Sequence, residues 1–188
     1  MLLGLLRHAE TAWTVAGRIQ GRIDVPLSAE GRAALANFRL PERCRRMQVV
    51  TSPLSRCTET AALIGAADAP REPRLLEMDW GAWEGLVLAE LRVELGEAMR
   101  ENEDRGWDFR PTQGESPREV FVRVRSWLRE LSAPTLAVTH RGVIRAIYAT
   151  AARWDMRGPP PVKLDWHAVQ LFRVQRDGMP EIEELNLR

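Results

Sequence analysis

The stretch Leu2-Leu3-Gly4-Leu5-Leu6-Arg7-His8-Ala9-Glu10-Thr11 decides how the rest of the chain is read. Its apolar part is too short to span a membrane and matches the length of a buried strand. It turns polar abruptly, so Arg7 and His8 fall where that strand would end. Ligands of open α/β sheets bind outside the carboxyl ends of the strands. A histidine there, beside a permanently charged arginine, suits a nucleophile working on a phosphate. A surface loop with an idle histidine fits the same ten residues, and three later segments decide between the two.

Outward from that stretch, residues 18–28 carry Gly21 and Pro26 and read as an ordered loop. Ser28 is a good N-cap, with Glu30 in the first turn, for a helix running to about Phe38. Residues 47–50 predict a second strand. Ser52 as N-cap and Pro53 at the first helical position then predict a helix start, which puts Arg56 in the first turn, near the same sheet edge as His8. Leu75-Leu76 lead into Glu77-Met78-Asp79-Trp80-Gly81-Ala82-Trp83-Glu84-Gly85. That would set Glu77 among aromatic rings, a setting suited to a general acid. An ion-paired loop glutamate beside core tryptophans is the alternative.

Residues 86 to about 102 are helical in pattern and heavily charged, and the irregular stretch to Gly114 carries Trp107 and Phe109. Together, residues 86–114 predict a small lid over the sheet edge, with Trp80, Trp83, Trp107 and Phe109 as its aromatic lining. Ser116-Pro117-Arg118-Glu119 is a capping box, and Val120, Val124, Trp127 and Leu128 then fall on one helical face. Residues 134–139 form another short apolar run, ending in His140. The helix beginning at Arg141-Gly142 favours an anion at its start. Residues 168–174 and 181–187 predict a closing hairpin around Asp177-Gly178. His167 lies in alternating surroundings that suit a structural or substrate-edge role.

Composition narrows the choice. A chain of 188 residues, 45% hydrophobic and 28% charged, is long enough for one globular domain with a sizeable core. A formal net charge of +1 gives no reason to invoke nucleic acid or a membrane surface. Among the 27 basic side chains only Lys163 is a lysine, which excludes any mechanism needing a second one. Cys44 and Cys57 are too far apart in sequence for a paired metal-ligand or redox motif. The apolar start lacks a charged leader and a cleavage site, so the expected location is the cytoplasm. An edge strand could support a homodimer.

Three strand ends thus lead to His8, to Arg56 one helical turn on, and to His140, with Glu77 at a fourth junction. Phosphoryl transfer through a histidine needs such a set. A neutral imidazole attacks phosphorus, cations hold the phosphoryl oxygens, and a carboxyl protonates the leaving oxygen. In this scheme His8 is the nucleophile, Arg7, Arg56 and a protonated His140 bind the phosphate, and Glu77 is the acid. No metal or organic cofactor is required, and no Walker loop, dinucleotide fingerprint or zincin helix offers a rival site.

On these residues the chain resembles the histidine phosphatase, or phosphoglycerate-mutase-like, superfamily. The matching pieces are Leu6-Arg7-His8-Ala9-Glu10-Thr11, Gln20-Gly21, Asp24-Val25-Pro26-Leu27-Ser28, Ser52-Pro53-Leu54-Ser55-Arg56, Glu77 with Gly81-Ala82-Trp83-Glu84-Gly85, Gly114-Glu115-Ser116, and Thr139-His140-Arg141-Gly142-Val143-Ile144-Arg145. The resemblance implies a three-layer α/β/α sandwich with a mostly parallel central sheet. It also implies His8 as the phosphorylated residue, Arg7, Arg56 and His140 around the phosphate, Glu77 as proton donor, and Gln20-Gly21 at the substrate edge. Thr14 stands where Asn is usual and would donate its hydroxyl to the phosphate. Arg141 stands where Gly is frequent and adds a cation at the rim. Glu10, Glu84, Glu115 and Ser116 read as supporting or capping residues.

The small lid favours hydrolysis of a small phosphomonoester over mutase chemistry. Chain length and the Glu77 motif resemble the α-ribazole phosphatases of cobalamin synthesis, and equally the broad-specificity phosphatases. A phosphoglycerate mutase and a phosphate-ester-binding module without turnover stay open at this point.

Overall fold

A computed structural model describes all residues, 1–188. The opening stretch is strand β1 (Leu2–Arg7). It is followed by a single-turn helix α1 (Ala12–Val15), helix α2 (Ala29–Ala36), β2 (Gln48–Thr51) and α3 (Ser55–Leu63). The second half contains α4 (Leu88–Glu103), α5 (Pro117–Leu128), β3 (Thr135–Thr139), α6 (Arg141–Ala151), β4 (Val169–Val174) and β5 (Pro180–Leu187).

The five strands form one sheet in the order β2-β3-β1-β4-β5. The half that carries the functional residues is parallel, with Leu3 opposite Thr135 and Arg7 opposite Thr139, and Gln48 opposite Thr135 on the other flank. The expected hairpin β4–β5 adds the antiparallel half, with β4 paired to β1. Alternation along β1 sends Leu3 and Leu5 to one face, against α5, α6 and Phe172. Leu6 goes to the other face, against Cys57 and Ala61 of α3, with Leu136 and Val138 of β3. The central β3 is buried along its whole length, as a strand covered by helices on both faces must be. The expected α/β/α layering is therefore observed.

Local chemistry explains most boundaries. The Ser116 hydroxyl accepts from the Glu119 N–H while the Glu119 carboxylate accepts from the Ser116 N–H, the reciprocal box that starts α5. Ser28 caps α2 as expected, although that helix ends at Ala36 rather than near Phe38. The predicted start at Ser52-Pro53 is displaced. Helix α3 begins at Ser55, and its cap comes from another loop, where Asp24 Oδ1 accepts from both the N–H and the hydroxyl of Ser55 at 2.8 Å. Helix α4 is broken at Gly96, whose φ of 50° and ψ of −114° are not helical.

Residues 86–114 share a small core with earlier loops, in which Ile19, Trp83, Leu91 and Met99 are buried with Trp80 and Phe109 packed against them. Trp80, Trp83 and Phe109 pack on one another with ring centroids 5.8–6.4 Å apart. Trp107 turns the other way, onto Phe121, and donates its indole N–H to the Trp154 carbonyl. Trp80, Trp83 and Phe109 thus tie residues 86–114 to the segment before them, and Trp107 ties them to α5 and to the residues after α6. No helix is long and apolar enough to cross a membrane.

Replacing Ser116 with Ala removes half of the reciprocal box and should cost about 1 kcal/mol of stability. Urea unfolding monitored by circular dichroism measures this loss, and an unchanged midpoint would show that the cap contributes nothing.

Candidate active site

The parallel register brings three strand ends together. His8 follows β1, His140 follows β3 and Ser52 follows β2, and these strands are neighbours. The ladder runs one residue further, because the His8 N–H donates to the Thr139 carbonyl and the Ser52 N–H to the Val138 carbonyl. The two imidazoles lie edge to face with centroids 5.3 Å apart. Nδ1 of His8 lies 2.7 Å from the Ala9 carbonyl. A carbonyl only accepts, so Nδ1 carries the proton, and in the neutral ring the lone pair is on Nε2. His140 has no exposed surface, and its Nε2 lies 2.7 Å from Ser52 Oγ.

Burial holds the His8 imidazole well below the ordinary histidine value of 6.5, and the Arg7 and Arg56 charges reinforce this. His140 is lowered in the same way, first by burial and then by His8 and Arg56. Both rings are therefore neutral near pH 7. A protonated His140 would need an anion beside the ring to offset its desolvation.

Arg56 is completely buried on α3. It donates from Nη1 to the Ile23 carbonyl at 2.9 Å and from Nη2 to the Gly21 carbonyl at 2.7 Å. Its Nε, and the Nε of Arg7, are buried donors without partners. Unpartnered buried donors are costly, and two of them on cations beside His8 define a place for an anion. The loop that receives Arg56 is shaped by Gly21. Its φ is +53°, and a Cβ there would lie 1.9 Å from Glu84 Oε1. The Glu84 carboxylate in turn accepts from the N–H groups of Arg22 and Ile23.

Glu77 stands at the opening of α6. Its carboxylate accepts from the Met78 N–H at 2.8 Å and the Gly142 N–H at 3.0 Å, so backbone amides rather than aromatic rings are its partners. Gly142 permits this contact, since a Cβ would lie 2.3 Å from Glu77 Oε1. Arg123 holds the segment from below, donating from Nη2 to the carbonyls of Leu76 and Glu77 and from Nε to Glu115.

The structure thus brings Arg7, His8, Arg56, Glu77 and His140 to one sheet edge. Gln20 is buried beside it and accepts the Thr11 hydroxyl at 2.9 Å through Oε1. Thr14 departs from expectation. Its hydroxyl donates to the Thr11 carbonyl and accepts the Thr11 N–H, so it caps α1 and its proton is already committed. Arg141 is exposed and stacks on Trp166. His167 is exposed, and only its backbone N–H is bonded, to Asp165. Sequence reasoning missed Ser52 as a partner of His140, because the Ser-Pro pair mimics a helix start. It also missed Arg123 and Trp166, which carry no local signal. No group of three or more His, Cys, Asp or Glu side chains is arranged to hold a metal ion.

Comparison with known proteins agrees with this geometry. The chain matches the histidine phosphatase superfamily (branch 1) over residues 3–188. It is 31% identical over 179 residues to a glucosyl-3-phosphoglycerate phosphatase of Mycobacterium tuberculosis, covering 83% of this chain and 79% of that protein. It is 30% identical over 191 residues to a 2,3-bisphosphoglycerate-dependent phosphoglycerate mutase 2 of Gloeobacter violaceus, covering 94% and 87%. It is 29% identical over 161 residues to a phosphoserine phosphatase 1 of Hydrogenobacter thermophilus, covering 81% and 76%. Among solved structures, TTHB049 from Thermus thermophilus superposes with a TM-score of 0.76 at 30% identity, covering all of both chains. The mycobacterial glucosyl-3-phosphoglycerate phosphatase complexed with VO3 superposes with a TM-score of 0.79 at 26% identity, covering 100% of this chain and 99% of that one.

The lowered histidines make stability depend on pH. Both rings bind fewer protons when folded than when unfolded, so stability is complete above about pH 6.5 and falls as pH drops through that value toward the lower folded pKa. Denaturant unfolding between pH 8 and 5 should show this decline, and a His140→Gln variant should show a shallower one. A slope identical to wild type would mean that His140 does not contribute.

Proposed function

Because the chain belongs to the histidine phosphatase superfamily, branch 1, we propose that it is a phosphomonoesterase that works through a phosphohistidine at His8. One observation carries this reading. The only tautomer of neutral His8 that satisfies the Ala9 carbonyl leaves the Nε2 lone pair available, beside two guanidinium Nε donors that no protein atom satisfies.

In the proposed reaction, Nε2 of His8 attacks phosphorus as the bond to the leaving oxygen breaks. Arg7 and Arg56 donate to the phosphoryl oxygens as charge develops on them. His140, backed by Ser52, adds a further donor, and the dianion itself offsets the desolvation that keeps this ring neutral in the empty site. Glu77 delivers a proton to the leaving alcohol, then takes one from the water that attacks phosphorus and restores His8. Gln20, Gly21 and Arg141 lie on the substrate side, and residues 86–114 form the lid. The names of the Mycobacterium and Hydrogenobacter relatives support hydrolysis of a small phosphorylated metabolite. α-Ribazole 5′-phosphate is one candidate, supported by chain length and the Glu77 motif. The Gloeobacter relative favours a mutase as second reading, and phosphate release in the absence of any acceptor ester separates the two.

Rapid quenching with a 32P-labelled phosphomonoester into alkali, followed by peptide mapping, should find acid-labile label on His8. Turnover without label on His8, or with label elsewhere, would remove this proposal.

The Gly142→Ala variant tests the acid. The added methyl would lie 2.3 Å from Glu77 Oε1 and 3.1 Å from Met78 Cβ, so it pushes the carboxylate off its backbone donors, and the melting temperature should fall modestly while the fold is kept. Turnover of an alkyl phosphate should fall roughly 10²-fold or more, the usual scale for a lost general acid, and that of p-nitrophenyl phosphate much less. Equal losses on both esters would exclude Glu77 as proton donor.

A further inference from the structure

Next to the phosphate site lies a second group of cations. Arg7 and Arg141 both stack on Trp166, with guanidinium carbons 5.7 and 5.2 Å from the ring centre. Arg145, four residues after Arg141 on α6, stacks on Trp154 at 5.1 Å. Residues four apart face each other on a helix, so Arg141 and Arg145 are like-charged neighbours. Arg141 also sits in the first turn of α6, at the positive end of the helix dipole, where a cation is disfavoured. Burial and Arg141 pull Arg145 down to about 10, and Arg7 is lowered by the same two causes.

Some arginines elsewhere in the molecule are matched by carboxylates. Arg43 pairs with Glu183 and Glu184, and Arg74 with Glu72 and Glu130. Arg7, Arg141 and Arg145 have none: among the seventeen ion pairs within 4.0 Å, no carboxylate reaches any of the three. Arg7 can serve the transferred phosphoryl group. Arg141 and Arg145 are left over. Trp166 connects the two sets, since one indole carries a phosphate-side guanidinium and a rim guanidinium together.

We propose that Arg141 and Arg145, positioned by Trp166 and Trp154, form a second anion subsite, and that the substrate is a phosphomonoester whose leaving alcohol carries another anionic group, a carboxylate or a second phosphate. This rests on the phosphomonoesterase proposal and narrows it, since a neutral nucleoside leaving group would leave both guanidiniums unmatched.

The test compares kcat/KM for 3-phosphoglycerate, propane-1,3-diol bisphosphate and glycerol 3-phosphate, the ester whose leaving alcohol is neutral, with p-nitrophenyl phosphate as a general probe. Wild type should prefer at least one anionic ester, and the larger preference identifies the ligand. Arg141→Gln should reduce the ratio of anionic to neutral ester by roughly ten- to a hundredfold, the scale of a hydrogen bond to a charged group, mainly through KM. Arg141→Lys should restore part of it. No preference in wild type, or a proportional loss on all esters in Arg141→Gln, overturns the subsite. In either case continued hydrolysis of p-nitrophenyl phosphate leaves the phosphatase proposal standing, whereas no hydrolysis of any ester overturns both.

Discussion

Two backbone hydrogen bonds past the formal ends of the sheet, from His8 to the Thr139 carbonyl and from Ser52 to the Val138 carbonyl, set the frame for everything else. They extend the parallel ladder until three polar residues from three strands stand side by side. A parallel ladder fixes register through evenly spaced bonds, and a slip of one residue would turn each side chain to the opposite face. His8 and His140 are thus held in contact by the same interactions that hold β1 to β3. The site needs no separate scaffold.

What this frame carries is electrostatically one-sided. Arg56 is buried with only two of its donor nitrogens satisfied, and the nearby histidines are held neutral by burial and by the cations. Such a place is costly when empty and favourable when an anion fills it. The fold accepts the cost because the surrounding elements are strongly over-determined: α5 and α6 bury a continuous apolar face on one side, and α3 with β3 closes the other. The neutral His8 is the form with a lone pair, so the desolvation that limits stability in acid also keeps the ring in the form the proposed nucleophile needs.

Much of this was legible in the sequence. Short apolar runs and capping residues identify β1, β3, α2, α5 and the closing hairpin, since each is decided by residues within a few positions of one another. The motif residues His8, Arg56, Glu77 and His140 could be assigned to one edge because each follows an element end. Features settled by distant partners were not legible. Ser52 looks like a cap in Ser52-Pro53, yet its hydroxyl faces His140 from another strand, while Asp24 caps α3 from across the loop. Thr14 is the reverse case, a residue assigned to ligand whose hydroxyl is used three residues away. The tryptophans near Glu77 suggested an apolar setting for its carboxyl, but their partners are one another and Phe109. Composition reveals that aromatics are present and cannot say which way they face.

The entrance of α6 sets two adjacent positions under opposite rules. At 142 the Glu77 carboxylate occupies the space a methyl would need, so any larger residue there displaces that carboxylate. At 141 the side chain lies over the Trp166 ring, and its replacement leaves the Glu77 contact untouched. Position 141 can therefore change while Glu77 keeps its two backbone donors one peptide bond away. A substitution at this edge would thus act on the proposed choice of ester and leave the proposed proton donor in place.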